Sequence, residues 1–386
     1  MFRLLLTPVF RPLFSFIAAA LFFINGYARV LPAPRPAPPV LDENSSVSLR
    51  AAGDFIAKYW DPAKKIFYCF DGGENRPEHP NGIYGGRYTA FWWAAQLWEM
   101  TMDIYEKTGE AYYRNMIGDV FAGFAVHYVN WRLNDFNDDI AWWAMACTRA
   151  YDITGNRLYL IEAKDMFDFI FDYWDDECGG GIYWKNTDDR DSKNACINGP
   201  AMVIAARLGE RLRDESYTGK AVRLFDWMAA TLVDPATGKV FDNIRVDGAV
   251  QQNWLFSYNF GTFAEGAYTL YRVTGDEQYR AAALKTLDWF LANKPNANGV
   301  FAIEFNGDGA CFKPIFFHAL KRIAVWENNP AYIDAVNRNA AAAWANRRLA
   351  DGLMTANWTA PAEDGQAIYS AQASAGVMIV QLSTDL

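Results

Sequence analysis

Apolar residues recur along residues 46–383 at the three-to-four-residue period of an α-helix. The period predicts twelve helices, over 46–60, 88–107, 110–131, 138–153, 156–174, 194–212, 214–232, 258–273, 276–293, 313–327, 330–348 and 367–383. Six are small-residue-rich or apolar almost all round, as in AWWAMACTRAY and NGPAMVIAARL. A helix apolar on every side belongs inside other helices. The alternate six are amphipathic, as in RAAALKTLDWFLANK, and suit an outer layer. Six buried helices alternating with six half-exposed ones predict an all-α fold, an (α/α)6 barrel.

A degenerate repeat supports the same layout. Thr108-Gly109, Thr154-Gly155 and Thr274-Gly275 stand five and four residues before Tyr113, Tyr159 and Tyr279. Weaker copies centre on Tyr217 and Tyr332. Glycine suits the left-handed position that ends a helix, so each unit reads as helix, tight turn, helix. The turns after inner helices are short. The loops before them are long, at 61–87, 132–137, 175–193, 233–257, 294–312 and 349–366, and so gather at one end of the barrel. Long loops carried on a rigid scaffold are where sites are built.

Outside this body, residues 1–28 carry Arg3 and Arg11, an apolar run from Leu13 to Ile24 and a small-residue stretch Gly26-Tyr27-Ala28. That is the pattern of a signal peptide, with a retained anchor as the alternative. Residues 29–44 are proline-rich and read as a linker, leaving 45–386 as one (α/α)6 domain. The expectation is a secreted or cell-envelope protein, extracellular or periplasmic, working as a monomer with no stable membrane insertion after cleavage. The net charge of -9 argues against nucleic acid as a partner. Five cysteines cannot form a dense disulfide framework, though one bridge among Cys69, Cys178 and Cys311 remains open. The three histidines and the absence of a phosphate-cradling glycine loop or a zinc spacing leave no cofactor and no metal expected. Aromatic residues, at an unusual 16%, serve cores and also flat platforms for apolar ligand faces.

The sharpest chemical signal is Asn137-Asp138-Asp139 at the start of the fourth helix. One acid can cap the helix, but a cap does not account for two. Neighbouring acids can instead serve as the nucleophile and acid/base of a retaining glycosidase, provided that they hold different protonation states. Capping, ion binding and catalysis all stay open on these residues alone. Around them, Trp92 and Trp93 open an inner helix, one fit to stack a sugar and the other to fill the core. Tyr183 and Trp184 follow three glycines. Asn198, Tyr258 and Asn259 lie in the first turns of inner helices, and Lys313 lies near the cleft end of the tenth. His318, Cys147 and Cys196 read as core residues.

The string FNDDIAWWAMACTRAYDITGNRLYL resembles the double-aspartate signature of glycoside hydrolase family 76, the endo-α-1,6-mannanases and related fungal cell-wall transglycosidases. FWWAAQLWEMTMDIYEKTG, GGGIYWKN, KNACINGPAMVIAARL, YNFG and FKPIFF follow in the family's order, so the likeness spans about residues 46–384. Phe260 stands where the family motif has glutamine, and Pro314 where it has glycine. The resemblance implies an (α/α)6 fold and a retaining mechanism with Asp138 as nucleophile and Asp139 as general acid/base. It also implies mannan or a mannose-containing oligosaccharide as substrate, with Asn137, Trp92, Trp93, Tyr183, Trp184, Asn198, Tyr258, Asn259 and Lys313 as binding residues. The alternatives are a transglycosidase that joins mannosylated glycans to wall polymer, and a non-catalytic glycan-binding barrel.

Overall fold

Three helices end in one way. Thr108, Thr154 and Thr274 each donate a side-chain hydroxyl to the carbonyl four residues back, at 2.7, 2.6 and 2.8 Å. Each hydroxyl then accepts the N–H two residues on. The following Gly109, Gly155 and Gly275 take φ of 70°, 71° and 76°, a backbone shape that costs other residues free energy. The chain thus reverses within a few residues and starts the next helix.

The computed structural model describes residues 35–71, 82–83 and 86–386. Residues 1–28, the first six residues of the proline-rich stretch (29–34) and His79 lie outside the described residues. Twelve α-helices follow: α1 Val47–Tyr59, α2 Phe91–Thr108, α3 Ala111–His127, α4 Asn137–Thr154, α5 Arg157–Phe171, α6 Ala195–Leu212, α7 Glu215–Thr231, α8 Ser257–Thr274, α9 Glu277–Asn293, α10 Phe312–Glu327, α11 Pro330–Ala345 and α12 Ser370–Leu382. The even-numbered helices pack in sequence, and α12 returns to α2, closing an inner ring. The odd-numbered helices lie outside it, each against its neighbours in the chain, with α1 held by α12 and α2. This is an (α/α)6 barrel. Inner helices are buried over most of their turns, as α6 is from Ala195 to Gly209. Outer helices bury one stripe, anchored by the repeat tyrosines Tyr113, Tyr159, Tyr217, Tyr279 and Tyr332. Where the period extended α2 back to residue 88, Tyr88–Thr89 instead pair with Gly82–Ile83 in a two-stranded ladder.

The inner ring is apolar in pattern yet carries buried charge towards the end where the inner helices finish. Arg149 on α4 bonds Glu99, Asp103 and Glu106 of α2, and His318 Nε2 lies 2.8 Å from Asp103. Arg207 and Arg322 share the Glu265 carboxylate. Cations suit this end because helix C-termini are electronegative.

At the opposite end, the long loops are laced into a rim. The first and sixth meet through a bridge between Phe70 and Tyr369, and the second and third through Phe136 and Lys185. Ser192–Asn194 and Asn243–Arg245 form a ladder joining the third to the fourth. Glu304 of the fifth loop accepts from the Ser257 backbone N–H at 2.7 Å, satisfying an orphan donor at the start of α8. Lys313 ties the fifth loop to the sixth through the carbonyls of Phe301 (3.0 Å) and Ala356 (2.7 Å).

Candidate active site

Within this rim lies a cleft of about 1260 Å³. Its walls come from the first turns of inner helices and from every long loop except the sixth. Asp138 and Asp139, in the first turn of α4, both line it and both keep some exposure. Phe136, the residue before the helix, occupies the capping position and provides no side-chain cap, so both acids lie inside the first turn.

Burial raises the Asp138 carboxyl to about 6. Smaller contributions from the Cys196 thiol, the backbone N–H groups of Asp138 and Asp139 and the Trp184 indole pull the other way. Among the described residues, none donates a hydrogen bond to Asp138 Oδ1. Asp139 is pushed well above the usual carboxylate range, first by burial and next by the charge of Asp138, with Asp308 adding to it. A hydrogen bond from Asn134 Nδ2 to Asp139 Oδ2, at 3.0 Å, opposes this only in part. The two neighbours therefore separate into a more acidic Asp138 and a proton-holding Asp139. The Asn134 amide is itself oriented, since its Oδ1 accepts the Phe136 N–H at 2.8 Å. Asp139 Oδ2 is thus held as an acceptor.

The cleft is lined with rings. Trp92 lies 6.2 Å from both Trp142 and Phe312, and Tyr258 packs 3.9 Å from Phe312. Trp184, Trp131 and Tyr128 line it as well, and Trp254 and Phe305 remain exposed. Flat apolar rings of this kind suit the C–H faces of sugars.

Of the residues expected to bind substrate, Trp92, Trp184 and Tyr258 line the cleft. Six others do not, and each has a protein partner instead. Trp93 is buried and stacks on Tyr369 at 5.8 Å. Asn137 is buried, donating to the Tyr183 carbonyl at 2.9 Å and fastening the third loop to α4. The Tyr183 hydroxyl bonds Glu177, and Lys193 sits 4.6 Å over its ring. Asn198 clamps Ile182 through both its N–H (2.8 Å) and its carbonyl (3.0 Å). Asn259 donates to Asp242 at 3.0 Å. Lys313, expected to bind substrate, is buried against backbone carbonyls and 3.7 Å from the Trp358 ring, and burial lowers its ammonium to about 7. These side chains hold the loops that form the cleft.

Other expectations also change. The three glycines before Ile182 take positive φ. A Cβ on Gly180 would lie 2.7 Å from Trp174 and one on Gly181 2.6 Å from Trp227, so packing requires these two, while backbone conformation alone favours glycine at position 179. Phe260 faces α9, stacking on Trp289 at 5.5 Å, so its replacement of glutamine leaves the cleft unchanged. All five cysteines are unpaired, and Cys196 lines the cleft beside Asp138. Asn134, Asp242 and Asp308 were not singled out by the sequence pattern. They lie in loops, where no periodicity marks a residue as facing a site.

A stability consequence follows from the acid pair. An acid whose folded-state pKa is raised adds stability below its ordinary value, and that stability is lost as pH rises through the raised value. Asp138→Asn is therefore expected to raise the thermal midpoint at pH 7. It should also flatten the decline in stability between about pH 4 and 6. Calorimetry across that range checks both signs.

Fold and site together define an (α/α)6 barrel with a paired-acid cleft. The model of glycosyl hydrolase family 76 matches residues 53–384, and the chain belongs to that family. It is 29% identical over 218 residues to a mannan endo-1,6-alpha-mannosidase (DCW1) of Candida glabrata, covering 51% of this chain and 48% of that protein. The Saccharomyces cerevisiae counterpart is 27% identical over 229 residues, covering 54% and 50%. The chain spans about half the length of the curated relatives it matches. Among solved structures, the GH76A alpha-1,6-mannanase of Salegentibacter sp. HEL1_6 superposes with a TM-score of 0.78 at 29% identity, covering 87% of this chain and 97% of that one. An inactive variant of that mannanase, with two consecutive aspartates changed to asparagine, was solved in complex with alpha-1,6-mannotriose.

Proposed function

We propose that the chain is an exported, retaining glycoside hydrolase that cleaves α-1,6-mannosidic linkages in mannan. The observation that carries this reading is the pair of adjacent cleft carboxyls whose surroundings drive their protonation apart. Asp139 gives its proton to the glycosidic oxygen while Asp138 attacks the anomeric carbon, forming a glycosyl-enzyme. Asp139, now ionised, takes a proton from water, which attacks the same carbon and releases the sugar with its configuration retained. The activities named for the fungal relatives and for the Salegentibacter enzyme support the substrate class. A purely glycan-binding barrel has no need of an acid kept protonated beside an ionised one.

The test is incubation of the purified chain with linear α-1,6-mannan, with product sizing and NMR of the first-formed anomer. Shorter α-1,6-oligomers with the α-anomer appearing first are expected. Intact mannan would overturn the reading, and a β-anomer would overturn the retaining mechanism. The glycosyl-enzyme can also pass its sugar to another hydroxyl. An added mannoside acceptor, with elongated products counted against released mannose, separates hydrolysis from transfer.

A further inference from the structure

Asp308 lies in the tight turn Gly307–Cys311 that leads into α10, and it lines the cleft. Its Oδ1 accepts two indole N–H groups from the first turn of α2, Trp92 Nε1 at 3.1 Å and Trp93 Nε1 at 2.9 Å. Two donors from consecutive residues fix the plane of the carboxylate. Among the described residues, Oδ2 receives no hydrogen bond and no cation pairs with the group, so Oδ2 is left unengaged on a half-buried residue of the cleft wall. Two indole N–H groups need an acceptor, and a neutral amide oxygen would serve. A further negative charge acting on Asp139 carries a cost that the indoles alone do not explain. The charge is useful where a hydroxyl donor arrives with a ligand, because a charged acceptor forms the stronger bond.

We propose that Asp308 is a substrate-binding residue. Its fixed carboxylate accepts a hydrogen bond from a hydroxyl of the mannosyl unit beside the acid pair, while the Trp92 ring packs against the same sugar. The assignment rests on the glycosidase reading above. It carries a second effect, because the Asp308 charge favours the protonated form of Asp139. The groups facing Asp139 are Asp138 from its own helix, the Asn134 amide from the second loop and Asp308 from the fifth. Cys196, Asp242 and Tyr258 cluster about Asp138. Asp135, Lys185, Asp191 and Arg245 lie elsewhere on the cleft wall.

Asp308→Asn tests the assignment, since asparagine keeps Oδ1 for both indoles and turns the unengaged acceptor into a donor. On α-1,6-mannotriose, KM should rise about tenfold. The alkaline limb of kcat/KM should move to lower pH, because Asp139 then loses its proton more readily. Calorimetric titration of mannotriose into Asp139→Asn, with and without Asp308→Asn, reads the same loss without turnover. Unchanged KM, affinity and alkaline limb would overturn the assignment, as would failure of Asp308→Asn to fold. Wild-type protein that leaves mannotriose intact, with the affinity loss still present, would overturn the proposed function and keep Asp308 as a sugar ligand.

Discussion

Asp139→Asn should lower kcat on α-1,6-mannan by about a thousandfold, within the range usual for loss of a positioned general acid. Asp138→Asn should be at least as severe, since no glycosyl-enzyme can form without its carboxylate. A substrate with a highly acidic leaving group separates the two roles. Departure of a dinitrophenolate needs no proton, so glycosylation in Asp139→Asn should recover on dinitrophenyl α-mannoside, visible as a burst of released phenol. Asp138→Asn should show no burst. Recovery in Asp138→Asn and none in Asp139→Asn would exchange the assignments, and near-normal turnover of mannan by either variant would reject the pair as the catalytic machinery. Neither variant should unfold, because each removes an acid that burial disfavours in its charged form.

The largest effect on stability is expected far from the cleft. Glu265 on α8 is buried and carries Arg207 and Arg322 on one carboxylate oxygen, with Arg322 at 2.5 Å. Glu265→Gln removes the charge and leaves two guanidinium groups facing each other, one of them buried. Breaking a buried pair from one side costs about 3–5 kcal/mol. The variant should show that loss in urea unfolding, with an unchanged KM for the molecules that remain folded. The pH dependence has a definite sign. The two arginines hold Glu265 at about 2, below its ordinary 4.5, against the opposing effect of burial. Its contribution is complete above pH 4.5 and disappears as the pH falls towards 2. Wild type should therefore lose more stability than the variant over that interval. Parallel curves would show that the carboxylate is not held by the arginines in the folded chain.

The helices were legible because two independent signals agree on them. The 3.6-residue period located their bodies, and the Thr-Gly pairs located several of their ends. The period does not report what a buried polar residue bonds to. Glu99, Asp103, Arg149, Arg207 and Glu265 sit within helices that read as apolar, yet they form buried ion pairs across the ring. The same blindness explains the binding residues. Asn137, Asn198, Asn259 and Lys313 occupy first turns at the cleft end, where a polar side chain serves equally to hold a loop or to meet a ligand. In each case the structure gives the side chain a protein partner. The acid pair stood out because one cap could not account for both members. Asp308 had no such excess around it, and only its two indole partners mark it.

The seam between α12 and α2 has a bearing on how the molecule comes into being. Helices made first and last of the inner six must meet before either is covered on both flanks. During synthesis, the hairpins that emerge early keep an oily flank bare until the final one is released. Late burial of that surface makes α12 the segment whose loss should leave the nascent barrel prone to clumping.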